Sequence, residues 1–173
     1  MQTYHYGDVV TAPEYSVPTG YTFSGWEVPA TMPAENLVLN ATLTQNDYTI
    51  TYNVNGEFYA TQTYHYGDVV TAPEYSVPTG YTFSGWDIPA TMPAENLVLN
   101  ATLTINTYTV TFVDWDGELL STQTVEHGSG AVAPDAPVRD NYYFSGWDVD
   151  FSVITCDLTV TALYGLRGDV DGD

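Results

Sequence analysis

Lysine is absent from this chain, and Arg139 and Arg167 stand alone against 22 acidic residues, for a formal charge of -20. An acidic surface of that size repels phosphate backbones and anionic lipid, so nucleic acid and membrane insertion are excluded as partners. Without lysine, a lysine-asparagine isopeptide crosslink is chemically excluded as well. Cysteine is nearly absent too. Cys156 has no second thiol to pair with, which rules out an intrachain disulfide, and it reads as a small apolar filler near a strand. No apolar run approaches the roughly 18 residues a membrane helix needs. No signal peptide precedes the first repeat, so the expectation is an excised soluble segment whose export signal lies outside it. Nucleophile elbows, P-loops and the His-Glu-x-x-His zinc pattern are all missing. The acids gather in turns, as at Glu14, Glu35, Glu57 and Asp87, with no apolar pocket evident to raise a carboxyl pKa. The chain is therefore not expected to be an enzyme.

What is present is a duplication. Residues 2–46 recur at 62–106 with three changes, Glu27/Asp87, Val28/Ile88 and Gln45/Ile105, and recur again, diverged, from Gln123 onward. The period is 60 residues from Trp26 to Trp86 and 61 from Trp86 to Trp147, which places one inserted residue near Asp114 to Asp116. Phe-Ser-Gly-Trp survives in all three copies, whereas His65 becomes Glu126 and Tyr66 becomes His127. Tandem units of this length indicate an array of modules. With hydrophobic residues at 44% and aromatics at 14%, each module has the means to build a core.

Period-two alternation supplies the strands. Tyr108, Val110 and Phe112 alternate with threonines, and Leu97, Leu99, Ala101 and Leu103 alternate with Val98, Asn100, Thr102 and Thr104. Asn55-Gly56 and Asp116-Gly117 lie between such runs and predict tight hairpins with positive φ at both central residues. The expected pairings are 48–54 with 58–66 and 108–113 with 118–127. A long loop containing Pro73 and Pro78 follows, then a strand from about Tyr81 to Ile88, a Met-Pro-Ala-Glu turn and a strand starting near Leu97. Each Gly-Trp pair predicts a buried indole, packed closely because the glycine lacks a side chain. Four strands per copy follow, less one because residue 1 enters after the first strand of its copy, or eleven in all. The domains read as 1–46, 47–106, 107–165 and a tail, 166–173. A permuted framing with a short last copy fits equally.

Tyr108-Thr-Val-Thr-Phe-Val, Asp116-Gly117, Pro134 and Pro137, Tyr143-Phe-Ser-Gly-Trp147 and Leu158-Thr-Val-Thr-Ala-Leu-Tyr164, in that order, resemble the internalin-type B-repeat, or Listeria/Bacteroides repeat, family. The resemblance implies a mainly β fold of tandem β-grasp-like, ubiquitin-related modules, arranged as an elongated array, on secreted or cell-surface bacterial proteins. Met32-Pro-Ala-Glu, Met92-Pro-Ala-Glu and the Tyr-His-Tyr segments depart from the commoner pattern. Gly168-Asp-Val-Asp-Gly-Asp173 resembles the start of a dockerin, with Asp169, Asp171 and Asp173 at the alternate positions of a calcium loop. That loop is incomplete, so calcium is expected only if it were finished, and no other cofactor is expected. For a full-length parent the resemblance implies a cohesin partner.

Two function classes follow. One is a spacer, stalk or adhesion segment with modules joined through short linkers at 45–47 and 105–107. The other is a carbohydrate- or protein-binding module, within a dockerin-bearing polysaccharide-degrading protein, that uses Tyr4, Tyr6, Tyr64 and Tyr66 on strand faces together with Trp115 near a hairpin tip. His65, with Asp68 nearby, is expected to be a solvated surface residue. The missing first strand of copy one leaves an edge or slot able to recruit a strand, which predicts a strand-mediated homodimer there.

Overall fold

The computed structural model describes residues 2–168, all strand, turn and irregular backbone. The tail aspartates Asp169, Asp171 and Asp173 lie outside the described residues. Eleven strands run in order: β1 (Tyr21–Phe23), β2 (Leu43–Gln45), β3 (Asp47–Val54), β4 (Glu57–His65), β5 (Tyr81–Phe83), β6 (Leu97–Ala101), β7 (Leu103–Ile105), β8 (Thr107–Val113), β9 (Leu119–Glu126), β10 (Tyr142–Trp147) and β11 (Leu158–Leu166). They fall into two compact units, Met1–Glu74 with Gly85–Ala101, and Tyr75–Ser84 with Thr102–Asp173.

In the first unit, copy two forms a sheet of order β4-β3-β6, with β3 parallel to β6 and antiparallel to β4. The alternation read from sequence sets the faces. Ile50 and Tyr52 are fully buried, and Val70 and Met92 close over them while Leu97, Leu99 and Trp86 pack around the edge. Burying side chains of this size stabilises by about 1.5–3 kcal/mol each. In the second unit, copy three forms the four-stranded order β10-β11-β8-β9 around a parallel β8/β11 pair. Val110, Phe112 and Val160 are its fully buried centre, and Ala131 and Ala133 of the irregular crossing segment lie against it.

The hairpins form as expected at β3/β4 and β8/β9. Asn55 and Gly56 both adopt positive φ, 51° and 85°. At the second hairpin only Gly117 does, at 87°, because the inserted residue lengthens the loop and Gly117 N–H closes a turn onto Asp114 C=O at 2.9 Å.

The expected 81–88 strand stops at Phe83 in copy two, and the short β5 pairs with β7 as a separate arm. Gly85 has φ 80°, which ends the strand, while in copy three Gly146 at 132° sits in a bulge and β10 carries on to Trp147. A Cβ at Gly25, Gly85 or Gly146 would touch nothing within 4 Å. Backbone conformation, and not room for the neighbouring indole, is thus the reason for these glycines.

Among the described residues the strand total equals the expected eleven, but its distribution does not follow the expected one. Copy two contributes five strands, counting its arm, and copy one contributes only β1 and β2. Residues 37–41 repeat the β6 sequence Leu-Val-Leu-Asn-Ala letter for letter and form no strand. In the repeat register the position of their parallel partner, the counterpart of β3, falls ahead of residue 1.

The linkers are also more ordered than spacing suggested, since Asn46 alone separates β2 from β3 and Asn106 alone separates β7 from β8. Cys156 is exposed, just before β11, rather than a buried filler.

Candidate functional site

The slot left in copy one is the most site-like concavity. Tyr4, Val10, Met32, Leu37 and Leu39 line a cavity of about 320 Å³. Their counterparts in copy two, Tyr64, Val70, Met92, Leu97 and Leu99, surround Ile50 and Tyr52. The cavity matches the place that Ile50 and Tyr52 of β3 take in copy two. Tyr4 holds its phenol against the chain through Thr11, whose Oγ1 lies 2.9 Å away, as Tyr64 does by donating to Thr71 C=O at 3.1 Å.

The four candidate tyrosines do not form matching strand faces. Tyr64 lies in β4 opposite Tyr48 and is half-buried, while Tyr66 follows the strand in a turn. In copy one Tyr6 is 79% exposed and, with Tyr4 and Met32, rims a second, shallow cavity of about 560 Å³. Tyr66 packs at a joint: a Cβ on Gly20 would lie 2.4 Å from its Cβ.

His65 gains a partner that its near sequence did not reveal. Nε2 lies 3.2 Å from Asp47 because the β3/β4 register sets these residues opposite one another, and Nδ1 lies 3.6 Å from Asp68. His5, its counterpart in copy one, has Asp8 at 3.6 Å, and its side chain is 96% exposed.

Trp115 sits at the β8/β9 loop and is 46% exposed, as its position in the insertion predicted. Its edge meets Tyr142 and Tyr164 at centroid distances of 4.7 and 5.4 Å, and the Arg139 guanidinium carbon lies 5.9 Å from its ring centre. Beneath it Asp114 is fully buried and accepts a hydrogen bond from Arg139 Nη2, with Asp116 3.3 Å and Glu118 3.9 Å from the same nitrogen.

Burial pushes the Asp114 carboxyl up. The Arg139 hydrogen bond and the Trp115 backbone N–H, at 2.8 Å, outweigh that and hold it below its ordinary range. Asp114, Asp116 and Glu118 converge closely enough to suit a metal ion. Arg139 already supplies the compensating charge there. The insertion and its tryptophan are visible in the repeat register, whereas the pairing with an arginine 25 positions away carries no local signal.

The conserved indoles are half-buried. Trp86 meets Tyr52 and Trp147 meets Phe112 in edge-on contacts at 5.1 and 5.0 Å. Trp26 lacks such a partner strand, and its Nε1 donates to Pro13 C=O at 2.9 Å beside Tyr15 and Phe23.

Copies two and three each pair a hairpin with a later parallel strand, and copy one repeats the copy-two sequence and its short antiparallel arm, so the molecule is a tandem array of small β repeats. The Listeria-Bacteroides repeat domain model matches residues 1–43, 48–102 and 108–164, and the chain belongs to that family. It is 38% identical over 111 residues to Internalin H of Listeria monocytogenes serovar 1/2a, covering 58% of this chain and 20% of that protein. It is 28% identical over 175 residues to a Gly-rich protein of Evansella cellulosilytica named as a candidate membrane protein, covering 86% of this chain and 20% of that one. The chain thus spans about a fifth of these relatives. Among solved structures it is similar to streptococcal high identity repeats in tandem, domains 3–4 of a cell surface protein, at 19% identity and a TM-score of 0.32 over 69% of this chain and 98% of that one. Among the described residues no helix is long and apolar enough to cross a membrane.

Proposed function

We propose that this chain is a non-enzymatic segment of a secreted or cell-surface bacterial protein, where it acts as a spacer or stalk that holds other parts of its parent in place. The observation that carries this reading is the repeated joint between successive copies. Asn46 N–H donates to Gly20 C=O and Asn106 N–H to Gly80 C=O, both at 2.8 Å, and Thr22 and Thr82 each donate to the asparagine side chain at 2.6 Å. His127 N–H donates in turn to Asn106 C=O at 2.8 Å. A joint pinned on both backbone and side chain has little slack, which suits transmission of position more than capture of a substrate.

The carboxyl chemistry supports the same reading. Asp114 and Asp150 both have lowered pKa values, whereas a general acid working near neutrality needs a raised one. Chains carrying added copies of residues 47–106 should lengthen by a constant increment per copy in small-angle scattering. A maximum dimension that grows only as the cube root of mass would sink the spacer reading.

A second reading, adhesion to a glycan or protein, is favoured by the exposure of Tyr6 and Trp115. Specific binding on a glycan array that is lost in Tyr6→Ala and Trp115→Ala, with folding intact, would support it.

A further inference from the structure

We infer that the residue at the position of Gly20 and Gly80 decides whether a repeat can receive the next one, and that copy three, with Asn141 there, presents a face closed to a further repeat docked in the same way. The rule holds whether the array spaces or binds.

The two joints share one construction, and each lies within a single compact unit. Gly20 and Gly80 have φ 81° and 82°, and each is covered by the residue that follows the second hairpin strand of the next copy, Tyr66 after β4 and His127 after β9. A Cβ built on Gly20 would come 2.4 Å from Tyr66 Cβ, and one on Gly80 would come 2.0 Å from His127 Cδ2. Atoms do not pack that closely, so a side chain at the seat and the covering residue exclude one another. The linking asparagine completes the joint. Asn46 and Asn106 donate from the backbone to the seat carbonyl at 2.8 Å, and their side chains accept from Thr22 and Thr82 at 2.6 Å.

Copy three keeps the backbone of this joint and replaces its side chains. In the repeat register Asn141 stands for Gly80, Tyr143 for Thr82 and Arg167 for Asn106. Arg167 N–H donates to Asn141 C=O at 2.8 Å, as Asn106 does to Gly80, and Asn141 has φ 66°. The left-handed backbone is therefore preserved, and asparagine is among the few residues besides glycine that adopt it readily. Its Cβ falls in the space that the covering side chain takes over Gly80. Tyr143 lies across Gly165, whose Cβ would come 2.4 Å from the tyrosine Cζ, and Arg167 offers no side-chain acceptor for a hydroxyl. Copy three completes its four-stranded sheet with all three replacements in place, so they bear on docking and not on folding. A differing outer face is what a capping repeat needs. The closure applies only to repeats seated on this face, and segments of another kind are not affected by it.

The test reads the His127 amide by hydrogen exchange, since that N–H is bonded to Asn106 C=O across the joint at 2.8 Å. In the 173-residue chain, Gly80→Asn installs a residue that accepts the backbone conformation and adds only the side chain. Protection at His127 should fall at least about tenfold, and adding His127→Ala should restore it at that position. Val110 and Val160, in the core of copy three, should stay protected throughout.

A second chain carries residues 1–167 followed by a further run of 107–166, so that the added copy meets Asn141 in natural register. The amide equivalent to His127 in the added copy should exchange at least about tenfold faster than His127 itself. Asn141→Gly with Tyr143→Thr and Arg167→Asn should bring the two rates together. Core amides report whether the added copy folds, and if it does not, the Gly80→Asn chain alone decides. The rule is overturned by full protection at His127 in Gly80→Asn, or by a loss there that His127→Ala does not restore. It is overturned equally by matching protection of the two amides in the Asn141 chain, or by an opened chain whose added amide stays fast although its core is protected.

Discussion

At the residue scale, burial and a partner decide what each polar group does. Asp114 is a buried carboxylate that the fold tolerates because Arg139, one of two arginines in the molecule, sits against it. A buried charge left alone costs far more than a pair contributes, so these residues act as one group. Tyr52 is the neutral counterpart in copy two. Its phenol is fully enclosed, and burial, aided by the nearby Tyr64, pushes its pKa up from 10.0 to about 12. A raised acid pKa means that the folded state holds the proton more tightly than the unfolded chain. Stability from this source is complete below pH 10 and declines as pH rises toward 12. Alkaline unfolding followed at Trp86 should therefore show a pH-dependent loss across that window, and Tyr52→Phe should flatten it. An unchanged alkaline profile in the phenylalanine variant would show that another group controls it.

At the element scale, one sequence has two fates. Leu-Val-Leu-Asn-Ala is strand β6 at 97–101 and irregular chain at 37–41. Propensity and alternation are identical in the two places, so neither can be the cause. A strand edge needs a neighbour to satisfy its N–H and C=O groups, and only copy two has β3 beside it. The same contrast applies to side chains. Met92 is 1% exposed inside a closed core, while Met32 borders the open slot. Met92→Ala should cost about 2–5 kcal/mol in urea unfolding of its copy, as filled cores lose both transfer energy and a cavity. Met32→Ala should cost clearly less, since no closed core surrounds it. Equal losses would mean that copy one is closed in solution. Strand existence was legible from the alternating residues at 48–54 and 108–113; the early end of β5 was not, because Gly85 could serve a bend, a bulge or a close contact with equal ease.

At the scale of the whole molecule, what matters is how copies are coupled. The arm β5/β7 of copy two belongs to the same compact unit as copy three. Within that unit Gly80, at φ 82°, would place a Cβ 2.0 Å from His127 Cδ2. Gly56, at φ 85°, has open space around it. Gly56→Ala should cost only the left-handed strain, about 1–2 kcal/mol. Gly80→Ala should cost more, and adding His127→Ala should recover part of the excess, giving a coupling of about 0.5–3 kcal/mol in a double-mutant cycle. Additive effects would show that the arm and copy three behave independently. Tyr66 and His127 differ in chemistry yet occupy the same place against a glycine, which explains why this position changes between copies without loss of the joint.

The sequence by itself determined the repeat, the hairpins around Asn55-Gly56 and Asp116-Gly117, which faces of β3 and β8 are buried, and the acidic character of the molecule. These are properties of neighbouring residues, and period-two patterning and turn chemistry encode them locally. Tertiary structure alone decided that residues 37–41 stay unpaired, that Arg139 neutralises Asp114, that Asp47 reaches His65, and that Gly20 and Gly80 are seats for the next copy. Each of these depends on a partner brought close by the fold from elsewhere in the chain. A hydrogen-bond ladder or an ion pair exists only when both halves are present, and one half looks the same in sequence whether or not the other arrives.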